Sequence, residues 1–73
     1  MDANFKNDIC KTMLQLRKES GFTQQKVADY LGIDRSNYSK YELGKLEISI
    51  EILVKLARLY DVSADYILNL SDY

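Results

Sequence analysis

Histidine, proline and tryptophan are absent from this 73-residue chain, and it holds one cysteine and three glycines. Each shortage excludes something. A lone Cys10 rules out an internal disulfide, and without histidine a zinc site has no plausible ligand set. The missing histidine also removes the commonest general acid or base. The lack of proline and scarcity of glycine favour helices joined by short connections. No apolar run approaches the ~20 residues that span a bilayer, and no signal-peptide pattern opens the chain. The expectation is a soluble, cytoplasmic protein in a reducing setting. No metal, cofactor, membrane or small-molecule partner is expected.

What is present is ordinary for a globular protein: 47% hydrophobic and 29% charged residues, too apolar for a disordered chain. A chain this short is a single domain over 1–73 that buries roughly 60% of its unfolded surface. Its net stability is expected on the order of 5 kcal/mol. The net charge of −1 hides an asymmetry. Residues 1–45 carry eight Lys/Arg against six Asp/Glu, and residues 46–73 carry two against five. A local basic face matters more for nucleic acid than the total does. On charge alone, a mixed solvated surface remains an equal alternative.

Apolar spacing predicts an all-α, compact five-helix bundle, with helices at about 7–19, 23–31, 34–43, 49–60 and 63–70. Phe5, Ile9, Met13 and Leu16 recur at spacings of four, four and three and form one core stripe. Gly21 stops that helix. Thr23 is a good N-cap for the second, whose inward residues are Val27, Ala28 and Leu31. Gly32 makes a turn and Ile33 seals the corner. The third helix stops at Gly44. Ser49 caps a fourth helix that is apolar over most of its circumference, which makes it central or partly covered by a second chain. Ser63 caps the fifth. Cys10 reads as a small, partly buried hydrophobe, and Asp61 and Asp65 as caps and solvated charge.

The stretch Thr23–Gly44, TQQKVADYLGIDRSNYSKYELG, has the layout of a helix-turn-helix. Its second helix carries Tyr38 and Tyr41 on one side and Arg35, Ser36, Ser39 and Lys40 on the other, with Asn37 and Glu42 on the rims. Such a helix suits the major groove of DNA. Arg35 sits in its first turn, where its fork can bond guanine O6 and N7 together. Ser36 and Ser39 are short and let the backbone approach. Ordinary solvation of Arg35 and Lys40 is the rival reading.

With those residues the chain resembles the phage-repressor/Cro-type (Xre-like) helix-turn-helix family over about residues 7–70. The resemblance rests on Arg17, Gly21–Phe22–Thr23–Gln24, Val27–Ala28, Leu31–Gly32, Arg35–Glu42, Gly44–Lys45 and Leu56–Ala57…Val62–Ser63 in joint spacing. It implies a lambda-repressor-like domain that binds double-stranded DNA as a homodimer on a two-fold symmetric operator. It implies base reading by Arg35, Ser36 and Lys40, with Asn37 and Ser39 secondary. It implies phosphate contacts by Thr23, Gln24, Arg17 and Lys45, and an ion pair of Arg17 with Glu42. The segment after Gly44 departs from the family in offering Lys45 alone before Glu47 and Glu51, so the backbone grip there is expected to be modest.

The leading expectation is a transcriptional regulator, most simply a repressor. The alternative is a protein-interaction module of the same fold, an antitoxin-like partner with weak or no DNA binding. An enzyme is not expected, since no nucleophile–base pair or glycine loop is present. Tyr66, Ile67 and Leu70, with Tyr73 beyond, would form an exposed apolar patch that a second copy could cover; closure of the chain's own core is the competing account.

Overall fold

The computed structural model describes residues 4–70, with side chains described from Asp8 onward. Phe5 and Tyr73, to which the sequence assigns a core and an interface role, lie outside the described side chains. The described residues form five helices: α1 (Asn4–Glu19), α2 (Gln24–Leu31), α3 (Arg35–Glu42), α4 (Ile50–Tyr60) and α5 (Ala64–Ile67). No strand occurs among them.

The core is built from the expected stripes. Met13 and Leu16 of α1 meet Val27, Ala28 and Leu31 of α2, Tyr38 of α3, Ile52 and Leu56 of α4 and Ile67 of α5. Ile9 packs against this cluster from the N-terminal side of the stripe. Each buried Leu, Ile, Val or Met among them contributes ~1.5–3 kcal/mol. No polar or charged residue belongs to the buried class among the described residues.

Local signals set the boundaries. Thr23 Oγ1 accepts from the Lys26 N–H at 3.1 Å, Ser49 Oγ from Ile52 at 3.1 Å and Ser63 Oγ from Tyr66 at 3.0 Å. These caps satisfy amides that the helices leave open. Asp34 caps α3 by backbone conformation alone, with no side-chain bond. Gly32 takes a left-handed conformation (φ 74°), and its N–H and that of Ile33 return to the Ala28 carbonyl. That reverses the chain within three residues and delivers α3 across α2. Lys55 of α4 donates from Nζ to the Leu31 carbonyl at 3.3 Å, placing a cation at the negative end of α2.

Two boundaries differ from expectation. Helix α1 already includes Asn4, ahead of the start expected near residue 7. Helix α5 ends at Ile67 rather than Leu70. Asn69 adopts a left-handed φ of 60°, and the Asn69 and Leu70 amides turn back to the Tyr66 and Asp65 carbonyls. Asn69 also donates from Nδ2 to Thr12 Oγ1 at 3.2 Å, tying this turn to α1. Asparagine tolerates this conformation better than most residues, so it ends a helix without glycine.

The fourth helix is not buried all round. Ile52 and Leu56 enter the core, whereas Ile50 is 81% exposed and Val54 is exposed beside it.

Candidate nucleic-acid interface

Helix α3 is divided by its own periodicity. Tyr38 is fully buried and Tyr41 half-buried against the core. Arg35, Ser36, Asn37 and Lys40 are exposed, and Ser39 is half-buried on the same outward side. Lys45 follows in the exposed turn, where its N–H bonds the Lys40 carbonyl at 2.8 Å. All five candidate base-reading residues thus stand on one eight-residue helix held from behind by an aromatic ring.

What orients that helix is a polar knot around Glu42. Arg17 Nε donates to Glu42 Oε2 at 2.7 Å and Nη2 to Oε1 at 3.2 Å, a two-pronged pair. Their side chains are only 15% and 5% exposed. Arg17 Nη1 also donates to the Phe22 carbonyl at 3.0 Å, which fixes the α1–α2 connection. Gln24 Nε2 donates to Glu42 Oε1 at 3.0 Å, and the Tyr38 hydroxyl donates to Glu42 Oε2. One carboxylate therefore ties α1, the start of α2 and both turns of α3. Partial burial alone would push Glu42 upward, but the bonds from Arg17, Tyr38 and Gln24 outweigh it and hold the carboxyl below the usual range. The Arg17 guanidinium is raised by its bond to Glu42. Tyr38 is raised strongly, by burial first and then by Glu42. Tyr60, whose hydroxyl is buried beside this knot, is pushed up to about 12 by burial and the Glu42 charge.

Several sequence expectations change in detail. The Tyr38 hydroxyl is spent on Glu42 inside the bundle, because the i,i+4 spacing on α3 stacks the two. Arg17 commits Nε, Nη1 and Nη2 to protein acceptors. Gln24, expected at the DNA backbone, holds Glu42 with one amide hydrogen, and its Oε1 accepts from Arg35 Nη1 at 3.4 Å. Its second amide hydrogen faces no recorded acceptor among the described residues. Thr23 is exposed and its hydroxyl oxygen caps α2. Ile67 belongs wholly to the chain's own core and so cannot form part of an exposed patch. Tyr66 is half-buried and Leu70 is 66% exposed.

Periodicity did not reveal the contact between Phe22 and Tyr60. Their rings stack with centroids 6.1 Å apart, and Lys26 Nζ lies 4.8 Å from the Phe22 ring. These contacts join the α2 entrance to α4. Cys10 is half-buried; its thiol donates to the Tyr41 carbonyl at 3.3 Å, and burial pushes it up.

Comparison with known proteins gives a match to the helix-turn-helix family over residues 13–67. The chain is 46% identical over 63 residues to the HTH-type transcriptional regulator YobD of Bacillus subtilis, covering 86% of this chain and 56% of that protein. It is 46% identical over 52 residues to YonR, an SPbeta prophage-derived HTH-type transcriptional regulator of the same organism, covering 71% of this chain and 48% of that one. It is 37% identical over 65 residues to the competence pilus inhibition repressor of Acinetobacter baylyi, covering 89% and 59% respectively. The chain spans about half the length of these relatives. No described helix is long and apolar enough to cross a membrane.

Proposed function

This chain belongs to the helix-turn-helix family, and from that premise we propose that it is a sequence-specific, duplex-DNA-binding regulator of transcription, a repressor acting in the cytoplasm as a homodimer. The observation that carries the reading is the outward row on α3. Arg35, Ser36, Ser39 and Lys40 share the side away from the Tyr38 and Tyr41 rings, with exposed Asn37 at its rim.

The N-terminal turn of α3 enters the major groove first, as in other helix-turn-helix proteins. Arg35 reads a guanine through O6 and N7, and Asn37 can pair with adenine N6 and N7. Ser36 and Ser39 keep the helix close, and Lys40 reaches a base or phosphate further along. The start of α2 faces the flanking phosphate with its open amides, Thr23 and the second amide hydrogen of Gln24. Lys45 grips the backbone past the other end of α3. Arg17 acts on the phosphates mainly through its charge, since its donors serve Glu42 and Phe22. Repression is steric: two copies occupy an operator and block polymerase. The Acinetobacter relative, named a repressor, supports that sign of control.

Selection of bound sequences from a random duplex pool tests this. A recovered two-fold symmetric motif with half-sites ~34 Å apart is the expected result. Recovery of no motif, with no retardation of genomic fragments at low salt, overturns it and favours a protein-binding module.

A further inference from the structure

The exposed side of α4 is apolar where a monomer has no use for it. Ile50 is the most exposed of the large hydrophobic residues among those described, Val54 stands one turn further along the same strip, and half-buried Ala57 continues it. The strip has a charged flank. Glu51 and Arg58 are both exposed and seven residues apart, so they lie two turns apart along one side of it. Their signs are opposite at the two ends of α4.

We propose that this face is the seam between two copies of the chain, with α4 packed antiparallel against α4 of the second copy across a two-fold axis. An isologous contact must be complementary to itself. A perpendicular two-fold axis near the middle of α4 meets that condition. It brings Val54 beside its own counterpart near the axis, turns Ile50 of each copy toward Ala57 of the other, and sets Glu51 of each copy beside Arg58 of the other, twice. Parallel pairing would instead carry the two charged flanks to opposite sides of the seam and leave Glu51 and Arg58 without cross-partners. Within one chain Glu51 holds Lys55 at 3.2 Å, an exposed i,i+4 contact that competes weakly.

An eleven-residue helix is about 16 Å long, and its seam covers less than the ~800 Å² per partner of a standard stable interface. The solution dimer is therefore weak and is completed by two adjacent half-sites. This inference deepens the homodimeric reading of the proposed function and rests on it. It places the contact on α4 rather than on α5, whose Ile67 is consumed by the core.

Mass measurement by light scattering across a concentration series tests it, with Glu51→Arg, Arg58→Glu and their equimolar mixture beside the parent. The parent should reach twice the single-chain mass as concentration rises. Each variant alone places like charges across the seam and should shift the midpoint upward about tenfold or more. Mixing the two variants should restore the dimer, since both cross-pairs become opposite in sign; a variant that had failed to fold would not be rescued. A parent that stays monomeric to about 1 mM, variants that dimerise like the parent, or a mixture that stays monomeric, overturns the seam. A half-site shift assay on Glu51→Arg separates the two readings. Arg35-dependent binding by the monomer upholds the DNA interface whatever the mass data say, and its loss in parent and variant alike condemns the regulator while leaving the seam to the mass data.

Discussion

At the scale of single residues, two kinds of charge do different work. Arg35 is exposed and its recorded partner is distant, so its replacement should leave the fold intact. Arg35→Ala should cost ~1–3 kcal/mol of operator affinity and relax preference at one base pair, as read by shift assays on operator variants. Lys45→Ala should weaken all sequences alike and lower the salt slope by about one. Glu42 is the opposite case. Glu42→Ala leaves the Arg17 guanidinium, 15% exposed, without its counter-charge. Removing one partner of a buried pair costs about 3 kcal/mol or more, so chemical denaturation should find the variant near its unfolding limit. Titration follows the same geometry. The Glu42 carboxyl is held lower in the folded chain, so its stabilisation is present above its ordinary value and lost as pH falls through the depressed one. Tyr38 is held higher, so its stabilisation is full below the ordinary tyrosine value of 10 and declines above it. Tyr38→Phe should flatten that alkaline decline in urea melts taken on either side of pH 10.

At the scale of elements, the caps rank themselves. Ser49 and Thr23 bond backbone amides and Asp34 does not. Ser49→Ala and Thr23→Ala should each lose about 1 kcal/mol, and Asp34→Ala distinctly less, in thermal melts. Gly32→Ala forces a Cβ into a left-handed turn at ~1–2 kcal/mol. These elements were largely legible in the sequence because their signals are local: stripes at helical period, a hydroxyl before α2, α4 and α5, glycine at the sharp turn. The failures are equally physical. Tyr66, Ile67 and Leu70 keep helical spacing, yet α5 stops after Ile67 because Asn69 bonds Thr12, 57 residues away, and no window along the chain reveals such a partner. The outward row of α3 followed from its wheel, whereas the knot behind it did not. Arg17 and Glu42 are tied only through the fold, and periodicity says nothing of Gln24 or of the Phe22 carbonyl joining them.

At the scale of the whole molecule, the described chain measures 30 × 25 × 21 Å. Two such bodies side by side match half-sites one DNA turn apart, so selected operators should lose affinity when five base pairs are inserted at the dyad, turning one half-site to the opposite side of the duplex. The net charge of −1 is compatible with this function because the bases are concentrated before residue 46. The site lies on the half that an average over the chain conceals.

The sequestered Arg17–Glu42 pair has a practical outcome. Mobile ions weaken attraction between groups bathed in solvent and barely touch those walled off from it. Brine should therefore sort the two populations: it strips the protein from its target while the scaffold stays upright, and dilution returns a competent reader without any refolding step.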